Sequence, residues 1–344
     1  MELTTVADDE VVVFDGSSLV RYDALSPRHH YRLGGIEVDT LARPGERYAT
    51  IATVNDIHLG ETVCGLIAGT EVGPVFRSED GEEPYPELMS RGAVAAMQAL
   101  EPDLVVAKGD LTGNGTIEEY RRFLDLYRSP FGDRLLHVRG NHDSYHGGDF
   151  AAFPTVVRRV PGATVALVDT ARTHLATGRL SPDQIDWIDS VGADSDEPVL
   201  VFGHHHLWTA ADGEPREDYF GVRPGDSVAL MEVMARRPRI LGYFAGHTHR
   251  NRVLRPIEAG GAVVVEVASV KDFPGVIAEY AVFENGVNQV VRRIGGSEQL
   301  RWTERTRGMF HGAYECYAMG AIGDRCFTMF HDGKGHRLPT GRAR

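Results

Sequence analysis

Five short polar clusters, each at the end of an apolar run, constrain this chain more than any other feature. They are Asp56-Ile57-His58, Gly109-Asp110, Gly140-Asn141-His142-Asp143, Gly203-His204 and Gly246-His247-Thr248-His249. The apolar runs before them, at 49–54, 104–107, 135–138, 199–202 and 240–245, read as strands, and 165–168 reads as another. Helical patterns alternate with these runs, which is the signature of βα units and largely parallel strands. In open sheets of this kind, loops beyond the carboxyl ends of the strands gather residues that are distant in sequence.

The helix starts are readable. Thr116-Ile117-Glu118-Glu119 spells a capping box, with Tyr120, Phe123, Leu124 and Tyr127 on one face. Ser181-Pro182-Asp183-Gln184 starts another helix with proline at its first position. Helices are also expected over 89–100 and 227–235. Residues 1–47 read as β-rich, with hairpins of 11–14 with 19–22 and of 31–33 with 36–38. Residues 59–86 form a long Gly- and acid-rich loop leaving directly from His58, which makes it the candidate lid or specificity element. After His249 the strands 262–267 and 277–283 lead through Asn285-Gly286 into 289–294. The tail from about 297 is aromatic and basic without a clear period. Its Trp302, Phe310, Tyr314, Tyr317 and Phe327 demand burial, so it is expected to be ordered, capping the site or joining a homodimer.

Composition removes several classes. Lys and Arg number 36 against 49 Asp and Glu, and the net charge of -13 argues against non-specific nucleic-acid binding. No run approaches the roughly 18 apolar residues of a membrane span, and residues 1–10 show no basic-then-apolar leader pattern. Cys64, Cys316 and Cys326 have no metal or disulfide spacing, which fits a reduced, cytoplasmic protein.

The polar clusters offer carboxylate, imidazole and amide oxygen but no thiolate. Such a set suits two transition-metal ions among Fe, Mn, Zn and Co. Asp110, central in the series, is the candidate bridge between ions about 3.5–4 Å apart. A metal-bridging hydroxide would attack phosphorus in line, while His142 serves the leaving oxygen and Asp143 orients the His142 imidazole.

The order D-x-H, G-D, G-N-H-D, H, G-H-x-H resembles the calcineurin-like metallophosphoesterase superfamily over about residues 48–255. The resemblance implies a four-layer αββα sandwich with β-rich N- and C-terminal extensions. Residues 1–47 would form the first extension, 48–255 the catalytic core, and 256–344 a β-hairpin and aromatic extension that completes the second sheet or caps the site. It implies one metal on Asp56, His58, Asp110 and His249 and another on Asp110, Asn141, His204 and His247, with His142 as the catalytic histidine. The protein Ser/Thr phosphatase signature is absent, since Leu111-Thr112-Gly113 follows Asp110 and Asp143 ends the second motif. Residues 111–116 lack the tyrosine of purple acid phosphatases, and His58 is present. Gly109-Asp110-Leu111-Thr112 with Glu118-Glu119-Tyr120 is similar to the class III cyclic-nucleotide phosphodiesterase branch. The implied activity is a phosphodiesterase acting on a small phosphoester. The alternatives are a phosphomonoesterase or nucleotide pyrophosphohydrolase using the same centre and, more remotely, a non-catalytic scaffold, which should have lost ligands.

Other candidates have plainer readings. In His204-His205-His206 the first is the expected ligand, the second is core or supports the ligands, and the third lines the pocket or packs. His29, His30, His137, His146, His174, His311, His331 and His336 read as surface or structural histidines, and Cys64 as a loop cysteine. Arg250 and Arg252 either touch a substrate phosphate or face solvent. Arg337, Arg342 and Arg344 read as a solvated terminus.

Overall fold

The computed structural model describes residues 1–67, 69–332 and 336–337. Two six-stranded sheets stack face to face. The first runs Leu135–Val138, Leu104–Lys108, Arg47–Val54, Val276–Phe283, Gly286–Arg293, Cys326–Phe330. Its first three strands are parallel and the last three join antiparallel. The second runs Thr155–Val160, Ala163–Val168, Val199–Phe202, Ile240–Ala245, Val263–Glu266, Arg252–Leu254, with its four central strands parallel.

The central strands are apolar throughout because both of their faces are covered. Alternate residues divide between two cores. Ile51 and Val106 face the other sheet, where they meet Val165, Leu200 and Phe244. Ala52, Val54, Val105 and Ala107 face outward onto Met89, Ala93 and Met97 of helix Tyr85–Gln98. On the second sheet, Val199, Val201 and Tyr243 pack against Ile188 of helix Pro182–Asp194 and against Leu230, Met231 and Met234 of helix Pro224–Arg236. These are the expected four layers, and Thr116 and Ser181 cap their helices in capping boxes as expected.

Several local expectations change. The segment read as a loop over 59–86 contains a hairpin, Cys64–Ile67 with Thr70–Phe76, and helix Tyr85–Gln98 begins before the expected residue 89. The C-terminal extension supplies three strands to the sheet that carries Arg47–Val54, and its tail forms helices Ser297–Thr306 and Ala313–Met319 before the strand Cys326–Phe330. Trp302, Tyr314 and Phe327 are buried there, whereas Tyr317 stays 45% exposed. Arg337 is not solvated, because its guanidinium donates to the carbonyls of Met234, Ile240 and Ala259. Arg342 and Arg344 lie outside the described residues. At the other terminus an unanticipated strand, Glu2–Val6, pairs with Val11–Phe14.

Candidate metal centre

All five clusters meet at the carboxyl ends of the parallel strands. The loops that carry them are tied by main-chain bonds: Asp56 N donates to Gly109 O (3.1 Å), Ile57 N to Asp110 O (2.8 Å) and Gly246 N to His204 O (3.0 Å). The Asp56 carboxylate accepts from His247 N at 3.0 Å, and Asp110 Oδ1 accepts from His142 N at 2.8 Å.

The backbone here is unusual. Asp56, His58, Asp110, His247 and His249 have φ of 55, 53, 50, 71 and 56°, all in the left-handed region. Two left-handed turns, not an extended backbone, therefore aim the Asp56 and His58 side chains. Asp tolerates this region better than bulky residues, and so does His, but each such residue is still a local cost that the surrounding structure must fix. Gly109, with φ of 90°, is required on a second count, since a Cβ there would fall 2.7 Å from His204 Nδ1.

The free donor atoms converge. Asp110 Oδ2 lies 3.4 Å from His58 Nε2 and 3.4 Å from His204 Nε2. His204 Nε2 lies 3.1 Å from Asn141 Oδ1 and 3.2 Å from His247 Nδ1, while His249 Nε2 is 3.6 Å from Asp56 Oδ1. Donors held about 2.1 Å from one ion at octahedral or tetrahedral angles are about 3.0–3.4 Å apart, so these separations fit the edges of coordination polyhedra. Asp110 thus stands between His58 of one expected ligand set and His204 of the other. The clustering of Asp56, His58 and His249 on one side and of Asp56, Asp110 and His204 across the middle agrees with this.

Charge is concentrated to match. Burial and the Lys271 charge oppose protonation of His58, but Glu61 and Asp110 hold it up at about 9. Burial opposes protonation of His204 as well, and Asp110 holds that residue at about 9. The neighbouring carboxylates thus favour positive charge at both imidazoles and raise their affinity for protons. Metal binding would displace those protons.

Comparison with known proteins shows the family. The Calcineurin-like phosphoesterase family model matches residues 49–251. The chain belongs to the calcineurin-like phosphoesterase family, whose members hydrolyse phosphoric esters. A Synechococcus sp. protein named probable cyclic nucleotide phosphodiesterase is 26% identical over 179 residues, covering 48% of this chain and 68% of that protein. The 3',5'-cyclic adenosine monophosphate phosphodiesterase CpdA of Pseudomonas aeruginosa is 30% identical over 159 residues, 43% of this chain and 54% of that protein. The chain thus spans about half the length of the Pseudomonas relative. Among solved structures, a dimetal phosphatase from Danio rerio shares the fold, with a TM-score of 0.54 and 17% identity over 72% of this chain and 97% of that one.

Within this phosphoesterase fold the candidate ligand imidazoles are held from behind. His58 Nδ1 lies 2.8 Å from Glu61 Oε2. Glu61 in turn accepts from Lys271 Nζ at 2.5 and 2.6 Å and from Tyr85 Oη at 2.6 Å. His249 Nδ1 lies 3.0 Å from Asp272 Oδ2, and Tyr314 Oη donates to Asp272 at 2.8 Å. His204 Nδ1 faces Lys108 O at 2.9 Å and His247 Nε2 faces Phe220 O at 2.8 Å, so each ring turns its other nitrogen toward the centre. Asn141 donates to Tyr145 Oη at 2.6 Å, which turns its amide oxygen toward His204. Sequence reasoning missed Glu61, Lys271 and Asp272. Glu61, three residues after His58, was the one with a local signal.

Carboxylates behind metal-bound histidines raise ligand basicity and fix the tautomer. Glu61→Gln is therefore expected to weaken metal binding by about 10–100-fold. Competition with a chelator measures this, and an unchanged circular dichroism spectrum would show that folding is intact.

Two expected roles are corrected. Asp143 does not touch the His142 imidazole. Its carboxylate accepts from Leu111 N (3.1 Å), Thr112 N (2.8 Å), Thr112 Oγ1 (2.7 Å) and Gly140 N (2.7 Å), locking the Asp110 loop to the Asn141 loop. The His142 ring is set by Gly113 instead, whose carbonyl lies 2.9 Å from Nδ1. Arg250 and Arg252 are not free for a phosphate, since Arg250 makes two bonds to Glu266 and Arg252 pairs with Asp212 and Glu266. His205 pairs with Thr170 Oγ1 at 2.8 Å and packs under Gly178, so although it lies near His204 and His247 it is a core residue. His206 is buried against Tyr219.

Proposed function

We propose that the protein is a dinuclear metal-dependent phosphodiesterase. Asp56, His58, Asp110 and His249 would hold one ion, and Asp110, Asn141, His204 and His247 the other, with Fe, Mn, Zn or Co suiting the donors. The observation that carries this reading is Asp110 Oδ2, equidistant at 3.4 Å from a histidine of each group. Bound ions would supply positive charge to the phosphoryl oxygens and acidify a water for in-line attack. The protein's own part is orientation and proton transfer. Nδ1 of His142 donates its hydrogen to the Gly113 carbonyl, which leaves Nε2 as the atom that exchanges a proton with the leaving oxygen.

Preference for a diester is supported by the cations around the centre. A monoester dianion calls for additional positive donors. Lys271 is spent on Glu61, Lys108 on the Ala245 carbonyl, Arg139 on Asp169, and Arg250 and Arg252 on Glu266 and Asp212. A cytoplasmic location is inferred from the free Cys64, Cys316 and Cys326. Among the described residues no helix is long and apolar enough to cross a membrane.

The test is turnover of bis(p-nitrophenyl) phosphate against p-nitrophenyl phosphate by protein reconstituted with Mn²⁺, Zn²⁺, Fe²⁺ or Co²⁺. The diester should be cleaved at least about tenfold more efficiently in kcat/KM, a difference in activation free energy of roughly 1.4 kcal/mol. No hydrolysis of either ester would refute the reading, and a monoester preference would move it to the phosphomonoesterase.

A further inference from the structure

Phe220 occupies a position that folding alone does not explain. It is 53% exposed, yet its ring lies 4.1 Å from that of His247, centroid to centroid, at an interplanar angle of 29°. Its carbonyl faces Nε2 of the same imidazole at 2.8 Å. The segment around it is pinned. Val222 is fully buried and its N–H donates to His206 O at 2.8 Å, while the Gly221 carbonyl accepts from Gly178 N at 2.9 Å. A Cβ at Gly221 would fall 2.3 Å from the His206 carbonyl, so glycine is what lets the segment press this close. The result is a rigid aromatic ring with one face on a candidate ligand and more than half of its surface in solvent. Beside Asn141 stands a second ring, Tyr145, half-buried and 4.8 Å from His142. Planar side chains thus flank the ligands of one metal group on two sides.

We propose that Phe220 is a specificity-determining platform that stacks on a planar aromatic group of the phosphoester, making nucleotide-like esters the preferred class. This rests on the phosphoesterase reading above. Aromatic side chains stack on nucleobases whatever the base, because every base has a π-face. Phosphate at the centre and a ring on Phe220 would hold one molecule at two points. The competing account, in which Phe220 only shields His247 from water, predicts that all ligands suffer alike when it is removed.

Calorimetric titration of Mn²⁺-loaded protein with adenosine 5'-monophosphate and with inorganic phosphate decides between them. The nucleotide should bind at least about tenfold more tightly than phosphate. Phe220→Ala should erase that advantage while leaving phosphate affinity unchanged, and Phe220→Trp should retain it. The proposal is overturned if the wild type binds the nucleotide no better than phosphate. It is equally overturned if Phe220→Ala weakens both ligands equally or leaves the nucleotide unaffected. Binding requires no turnover, so failure to hydrolyse any ester would sink the phosphoesterase reading separately.

Discussion

His142→Ala should lower kcat for a diester with an alkyl leaving group by about 10²–10⁴, the range for loss of a positioned proton donor or acceptor. A p-nitrophenyl diester should lose far less, because its leaving group departs without a proton. Metal content should stay at the wild-type level. That last point separates two roles that distance alone leaves together, since His142 lies close to both His58 and Asp110. A ligand would lose metal on replacement and would affect both esters equally. The geometry favours the proton role: Nδ1 is fixed on Gly113 and the ring lies tilted against that of His58, 4.3 Å between centroids. Burial first, and then the His58 charge, push His142 down to about 4.

Asp143→Ala should be the most destabilising single change at the centre. It would leave three buried N–H groups and the Thr112 hydroxyl without an acceptor. An orphaned buried donor costs about 1–3 kcal/mol, and with partial relaxation the sum is about 3–5 kcal/mol. In thermal denaturation of a 344-residue chain this corresponds to a fall in Tm of roughly 4–7 °C. Asp110 and Asn141 stand on the two loops that would separate, so metal affinity should fall with stability. Had Asp143 served only to orient His142, the same variant would lose turnover at an unchanged Tm.

Residues 142 and 143 show how far a linear reading reaches. The seven candidate ligands are legible because each of the five clusters stands at the end of its own strand, so that local pattern and sheet topology are enough to bring them together. Their conformation is not legible. Nothing in Asp56-Ile57-His58 announces two left-handed residues, which are imposed by bonds to Gly109 and Asp110 from another loop. The supporting shell is hidden for a related reason. Lys271 reaches Glu61 from 210 positions away, and Tyr314 reaches Asp272 from a tail with no readable period. Helix Ser297–Thr306 buries Leu300, Trp302, Thr303 and Thr306 beneath a charged outer face, too thin an apolar stripe for the pattern to register. The strand pairing of 276–293 and 326–330 was equally out of reach, because an Asn-Gly turn specifies a hairpin but not the sheet it joins.

Counting metals tests the central claim most directly. Metal-free protein titrated with Mn²⁺ or Zn²⁺, with bound ion measured by elemental analysis after desalting, should take up two equivalents per chain. Asp110→Asn, which removes the charge placed between His58 and His204, should hold no more than one. A wild type that binds one ion or none, or an Asp110→Asn variant that still binds two with unchanged affinity, would contradict a centre built around a shared Asp110.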